Sequence, residues 1–110
     1  MNKSIVEKII KFRDERDWKQ FHNGKDLAIS LSLEANELLE AFQWSGSELM
    51  CCNKIDKIKE ELADVFIYAT LIAECYGFDI EKIILEKIKI NNEKYPVEKA
   101  KGRYDKYTNL

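Results

Sequence analysis

Two pairs of acidic residues have the types and the spacing that could perform chemistry in this chain. Glu34 and Glu37 lie three positions apart, and so do Glu61 and Asp64. On a helix this spacing places both carboxylates of a pair on one face. If the two helices fold back beside each other, four carboxylates converge, and their repulsion in a low-dielectric site requires a cation. All-oxygen ligands are what Mg²⁺ prefers, with Mn²⁺ as the alternative ion.

The commonplace interpretation of each pair is a solvated helix face, because Glu is a frequent surface helix former. Two features oppose it. Glu34 borders an apolar arc that includes Leu27 and Leu38, and Asp64 is set among large apolar residues. Burying an unpaired charge is costly, so both interpretations stay open on these residues alone. A di-iron bundle would need Glu-x-x-His motifs, and His22 does not follow a Glu at that spacing.

Length and composition predict one domain over residues 1–110, with 97–110 as a C-terminal arm. Hydrophobic residues make up 45% and charged residues 35%, which is typical of a globular protein. The net charge of −2, without a basic block, argues against sequence-independent binding of duplex DNA, which requires a basic face. No apolar run is long enough to span a membrane, and the first residues lack a signal peptide's pattern, so we expect a cytoplasmic protein. The three cysteines lack a CxxC spacing and are expected to be free thiols.

Helical periodicity predicts an all-α fold of four helices, over residues 3–16, 26–43, 54–76 and 80–94. Asn23-Gly24 is a turn signal and Asp26 is the expected cap of the second helix. Gly77 is expected to end the third helix and Asp79 to cap the fourth.

The third helix is unusual because its second half is apolar nearly all round. Such a helix is buried on every side, which predicts a central helix, an oligomer interface, or both. Aromatic residues in the polar loop before the second helix, Trp18 among them, have two interpretations. They are either packing anchors or a surface that stacks on a base. Lys87, Asn91 and Lys94 form a polar stripe on the fourth helix.

Taken together, these motifs resemble the all-α nucleoside triphosphate pyrophosphohydrolases of the MazG type, and most closely their dCTP pyrophosphatase branch. The acid pattern is moderately specific, and the accompanying segments make the resemblance strong. The segments that carry it are RDWKQFH with its flanking residues (13–22), EANELLEAFQW (34–44), EELADVFIY (60–68), KIKINNEKYPVEKAKG (87–102) and KYTNL (106–110).

The resemblance implies a four-helix bundle that assembles into a homodimer or homotetramer, with sites shared between subunits. It also implies hydrolysis of a (deoxy)nucleoside triphosphate between the α and β phosphates, giving the monophosphate and pyrophosphate. The candidate substrates are dCTP or a modified pyrimidine nucleotide. The implied metal ligands and catalytic residues are Glu34, Glu37, Glu61 and Asp64. The implied substrate contacts are Trp18 and Trp44 at the base, Tyr68 near the sugar, and Lys87, Asn91, Lys94 and Tyr95 at the phosphates or sugar.

One position departs from the family pattern. Close relatives are expected to carry a His on the first helix, nine residues before the loop Trp, and Ile9 occupies that position here. Base selectivity is therefore the least determined property. Two non-catalytic alternatives remain, a helical protein that holds a nucleotide without cleaving it and a structural oligomer with a solvated acidic face.

Overall fold

The computed structural model describes residues 2–110, and within that range the chain is helical and has no β-strand. The all-α prediction is therefore confirmed. None of the helices in this range is both long and apolar enough to cross a membrane. The α-helices are α1 (Lys3–Glu15), α2 (Gly24–Glu40), α3 (Ile55–Tyr76), α4 (Ile80–Lys94) and α5 (Val97–Ala100), with single 3-10 turns at Lys19–Phe21, Cys52–Lys54 and Tyr107–Asn109.

The chain divides into two compact units, one ending at Gly77 and the other running from Phe78 to Leu110. In the first unit α2 packs along α3, and α1 also contacts α3. The buried apolar side chains come from α2, its C-terminal turn, the following loop and α3; they are Leu27, Ala41, Cys51, Leu71 and Ala73. This packing forms the candidate site, because it brings the acid-bearing faces of α2 and α3 together.

Helix α2 begins and ends earlier than the sequence predicted. Asn23 is its cap, because the Asn23 side chain accepts a hydrogen bond from the Asp26 backbone N–H at 2.8 Å. The Asn23 amide also donates to the Asp26 carboxylate at 2.8 Å. The expectation that Asp26 is the cap was wrong, since Asp26 lies in the first turn of the helix. Its backbone N–H and its carboxylate both hydrogen-bond to the Asn23 side chain. The chain leaves the helix at Glu40 and continues through turns.

The other predicted helix ends agree closely with the structure. Gly77 caps α3 in the left-handed conformation, with φ +71°. Asp79 caps α4 by accepting from the Lys82 backbone N–H. Helix α4 ends two residues before Pro96, as expected of a residue that cannot continue a helix. The three cysteines are free.

The second unit contains α4, α5 and the last 3-10 turn. Tyr107 packs edge-on against Tyr95 with ring centroids 5.9 Å apart, and the Lys94 ammonium lies 4.9 Å from the Tyr107 ring centroid. The predicted C-terminal arm therefore folds back onto the end of α4. The assignment of one domain to the whole chain stays a prediction.

Candidate metal centre

Three of the four acids meet where α2 packs along α3. Glu34 comes from α2, and Glu61 and Asp64 come from α3. Each offers one carboxylate oxygen that lies within 4.8 Å of the others. The spacing of three residues puts Glu61 and Asp64 on the same face of α3, and the contact between the helices adds Glu34. The arrangement is a cluster of oxygen donors from two helices.

The fourth acid, Glu37, is exposed but takes part in the cluster through hydrogen bonding with Glu34 and Glu61. A hydrogen bond between two carboxyl groups requires a proton on one of them. These contacts raise the pKa values of Glu34 and Glu61 and so favour a protonated carboxyl in the metal-free cluster. Glu40, one turn beyond Glu37, instead points to Lys57 at 4.0 Å.

The environment raises the pKa of Glu34 to about 7. Burial is the largest cause, followed by the hydrogen bond with Glu37 and the negative charges of the neighbouring acids. The pKa of Glu61 is also raised, first by hydrogen bonding with Glu37 and then by burial, while its hydrogen bond with Glu34 acts in the opposite direction. Full ionisation of the cluster at neutral pH is therefore disfavoured unless positive charge is added.

A divalent cation fits the donor set. Oε2 of Glu34 and Oε2 of Glu61 are both buried and have no hydrogen-bond partner within residues 2–110. Buried polar atoms rarely lack a hydrogen-bond partner unless an ion, a water or a ligand contacts them. Carboxylate oxygens from two helices match the hard, oxygen-seeking character of Mg²⁺ or Mn²⁺, and nothing in the donor set favours a soft metal.

A pocket of about 630 Å³ opens beside the acids, within the first unit. Glu34 and Asp64 form part of its wall, and Trp18 and Tyr68 form another part. The remainder is mainly apolar and includes Ile9, the position that departs from the family pattern. The pocket thus joins an acidic end to a lining of aromatic and aliphatic side chains, which suits a ligand with one charged and one flat, weakly polar part.

The other tryptophan lies elsewhere in the first unit. Trp44 has a left-handed backbone with φ +63° and is 93% exposed. It borders a separate pocket of about 360 Å³ formed by the loop after α2. The structure does not bring Trp44 to the pocket that holds Trp18, and its role at the base stays a prediction.

The predicted phosphate-contacting residues lie in the second unit. Lys87, Asn91, Lys94 and Tyr95 are on α4 or at its end, and all four are exposed. Lys94 and Tyr95 both contact Tyr107 of the terminal KYTNL segment. Their contacts with phosphate or sugar stay predictions.

Two polar residues of the large pocket were missed by the sequence reasoning. Arg13 is 4% exposed and donates to Asp14 at 2.8 Å, with Glu74 at 3.9 Å. His22 has a buried Nδ1 without a partner within the described range. Neither position carries a distinctive signal, since Arg13 sits in a run of charged residues and a single His is usually an ordinary hydrogen-bonded residue.

Comparison of the sequence with models of known protein families identifies the family of this chain. A model of the MazG-like family matches residues 29–110. The chain belongs to that family, and the resemblance stated from its motifs is confirmed.

The individual relatives are all named as pyrophosphatases. The chain is 36% identical over 104 residues to dCTP pyrophosphatase 1 of Rattus norvegicus and of Homo sapiens, covering 90% of this chain and 61% of each relative. It thus spans about three fifths of the length of these curated relatives. A crystal structure of a pyrophosphatase from Archaeoglobus fulgidus matches with a TM-score of 0.77 and 34% identity, covering 84% of this chain and 90% of that one.

Proposed function

We propose that this protein is a Mg²⁺-dependent nucleoside triphosphate pyrophosphohydrolase. It cleaves a (deoxy)nucleoside triphosphate between the α and β phosphates and releases the monophosphate and pyrophosphate. The substrate we propose is dCTP or a modified pyrimidine nucleotide, because the relatives are dCTP pyrophosphatases. Mn²⁺ is the alternative metal.

The single observation that carries the proposal is the pair of buried, unpartnered oxygens on Glu34 and Glu61, beside Asp64. A structural acid face on a helical oligomer would turn these oxygens to water. Here they converge with Asp64, and Glu34 and Asp64 line one end of a pocket large enough for a nucleotide's base and sugar. That placement is what a metal–triphosphate substrate requires.

Glu34, Glu61 and Asp64 are the residues that would hold the metal, with Glu37 completing the set. When bound, the divalent ion supplies positive charge that neutralises phosphate oxygens and lowers the pKa of water. A carboxylate oxygen of the cluster that is not a ligand orients the attacking water and accepts its proton. The water oxygen bonds to one of the two bridged phosphorus atoms as its bond to the α–β bridging oxygen breaks. The departing half keeps that oxygen, so that the products are the nucleoside monophosphate and pyrophosphate.

The other residues bind rather than react. Trp18 and Tyr68 offer flat surfaces in the pocket wall, with the base beside Trp18 and the sugar near Tyr68. Lys87, Asn91, Lys94 and Tyr95 are proposed to contact the phosphates or sugar, and Trp44 to approach the base. Apolar side chains of α3 that a single chain leaves open, Leu62 at 44% and Phe66 at 52% exposure, support assembly into a homodimer or homotetramer.

The test is product release from a panel of triphosphates in the presence of Mg²⁺. We expect pyrophosphate from at least one (deoxy)pyrimidine triphosphate, and no orthophosphate. Glu61→Gln is expected to reduce turnover by a factor of about 100 or more, because a metal ligand is lost. Glu60→Gln is the matched control, since Glu60 is the exposed neighbour on the same helix. Orthophosphate as the product, or equal turnover by the two variants, would refute the proposal.

A further inference from the structure

Gly24 is a glycine that its backbone conformation does not require. It is the first residue of α2, whereas the glycines with a left-handed backbone within residues 2–110 are Gly46, Gly77 and Gly102. A glycine in a helix is destabilising relative to alanine, because it loses more conformational freedom on folding. The glycine at the start of α2 therefore has another explanation.

The explanation is space. A Cβ atom on Gly24 would overlap the hydroxyl oxygen of Tyr76, and would lie 2.6 Å from Cζ and 3.0 Å from Cε2 of that ring. A Cβ atom on Gly46, Gly77 or Gly102 would meet no atom within 4 Å in the described part of the chain. The Tyr76 ring thus lies directly on the backbone of α2, at a separation that leaves no room for a side chain. We call this the glycine–tyrosine contact.

Tyr76 cannot turn its ring in place to admit a side chain at Gly24. Cζ and the hydroxyl oxygen lie on the axis about which the ring flips, so rotation about χ2 leaves both atoms where they are. Only a change of χ1 moves them, and residues in a helix commonly use two χ1 wells. That change would carry the ring off α2. A side chain at Gly24 therefore either displaces α2 or breaks the contact.

The acid cluster belongs to the same helix–helix interface. Farther along α2, one carboxylate oxygen of Glu34 lies within 4.8 Å of oxygens of Asp64 and Glu61, and Glu40 lies 4.0 Å from Lys57. These contacts and the glycine–tyrosine contact progress in opposite directions along the two helices, so α2 and α3 run antiparallel. At 1.5 Å per residue, the acids lie about 15–18 Å along the helices from the glycine–tyrosine contact.

The interface has to be held together against the acids. Carboxylates that face one another across it repel, so their approach depends on packing elsewhere. Close packing is present beside the glycine–tyrosine contact: Leu27 on α2 is 2% exposed and Ala73 on α3 is 5% exposed. Leu27 also precedes Glu34 by seven residues, which places both on one face of α2. Packing at this end of α2 is thus joined to the acid cluster by one rigid helix face.

We infer that Gly24 is a positioning residue for the candidate metal centre. Its contact with Tyr76 sets the separation and register of α2 against α3, and thereby the distances among the oxygens of Glu34, Glu61 and Asp64. Metal–ligand distances tolerate changes of only about 0.2 Å, so a small displacement of α2 is enough to weaken binding of the ion. The inference rests on the proposed function only in taking the acid cluster as a metal site.

The experiment is calorimetric titration of chelator-treated protein with Mn²⁺ and Mg²⁺, which needs no turnover. The variants are Gly24→Ala, Tyr76→Leu and the two together, because Leu lacks the three atoms that the new Cβ would meet. Lys25→Ala is the matched control, since Lys25 is the exposed next residue of α2. We expect Gly24→Ala to weaken metal binding about tenfold or more, and the double variant to recover most of the affinity. Lys25→Ala should change it little.

Urea unfolding of the same proteins in a chelator tests the contact without a metal. Ala is the better helix former, so Gly24→Ala should raise the urea midpoint where residue 76 is Leu, and lower it where Tyr76 is present. This change of sign, with loss of metal affinity only beside Tyr76, supports the inference. If Gly24→Ala alone does not fold, recovery of folding and of metal affinity in the double variant gives the same support, and no recovery overturns the inference.

The opposing outcomes are equally definite. Tyr76 is 58% exposed, so its ring could swing into solvent while α2 stays in place. Gly24→Ala would then bind Mn²⁺ as tightly as the wild type, which overturns the inference. An equal loss of affinity with Leu at position 76, or a wild type that binds neither ion, also overturns it. If the expected pattern of metal binding is found but no triphosphate is hydrolysed, only the proposed function fails.

Discussion

Replacing Glu34 by Gln should make the metal-free protein more stable at alkaline pH. The carboxyl of Glu34 has a pKa of about 7 in the folded chain against an ordinary value of 4.5. Between these values the folded state binds more protons than the unfolded state, so stability falls as pH rises from about 4.5 to about 7. Above that range the full penalty of the buried charge is present, and Gln removes it.

The magnitude follows from the shift. At 1.36 kcal/mol per pKa unit, the rise from 4.5 to about 7 is worth at most about 3.4 kcal/mol. Water reaches part of the site and screens it, so we expect a gain of about 1–2 kcal/mol at pH 8, or about 5 °C or more in melting temperature. Near pH 4 the gain should vanish, because Glu34 is protonated in both states.

The assay is urea or thermal unfolding in a chelator from pH 4 to pH 8, for the wild type, Glu34→Gln and Glu40→Gln. Glu40 lies on the same helix but faces Lys57, so its replacement should give no such gain. A Glu34→Gln protein no more stable than the wild type at pH 8, or a gain that persists unchanged to pH 4, would refute the reasoning.

Three further expectations concern other parts of the first unit. Saturating Mg²⁺ should stabilise the wild type by about 2.7 kcal/mol at 100 times the dissociation constant but leave Glu61→Gln nearly unchanged, measured by thermal unfolding. Arg13→Gln should raise the pKa of His22, because Arg13 lowers it; a proton NMR titration of the only histidine measures this directly, and Arg16→Gln is the control. Gly77→Ala should lower stability by about 1 kcal/mol in urea unfolding, because φ is +71° at that cap, and an unchanged midpoint would contradict this.

The helices and their ends were predictable where local chemistry decides them. Gly77 and Asp79 are caps that act through their own backbone and side chain, so their positions are visible in the sequence. The start of α2 was misplaced because Asn23 and Asp26 both have capping side chains. The choice between them depends on which backbone N–H the turn exposes, and composition does not show that.

The acid cluster could be predicted in part. Spacing places Glu61 and Asp64 on one face of a helix, but only tertiary packing determines that Glu34 reaches them. The partners of Arg13 and the unpartnered nitrogen of His22 are properties of the folded pocket. No periodicity marks them, because the ion pair of Arg13 with Glu74 and the surroundings of His22 depend on side chains distant in sequence. The same holds for Trp44, whose motif suggested a place at the base while its left-handed turn carries it to another pocket.

The contrasting surroundings of the two tryptophans have an optical consequence. Trp18 meets Phe12 edge-on at 5.7 Å in the pocket wall, while Trp44 is 93% exposed. Intrinsic fluorescence is therefore the sum of a half-covered indole, 44% exposed, and an almost fully exposed one, which differ in emission wavelength and in collisional quenching by iodide. Replacing Trp44 by Phe would leave Trp18, in the pocket wall, as the single fluorescent tryptophan. Binding of a ligand in the pocket could then be followed without an added dye.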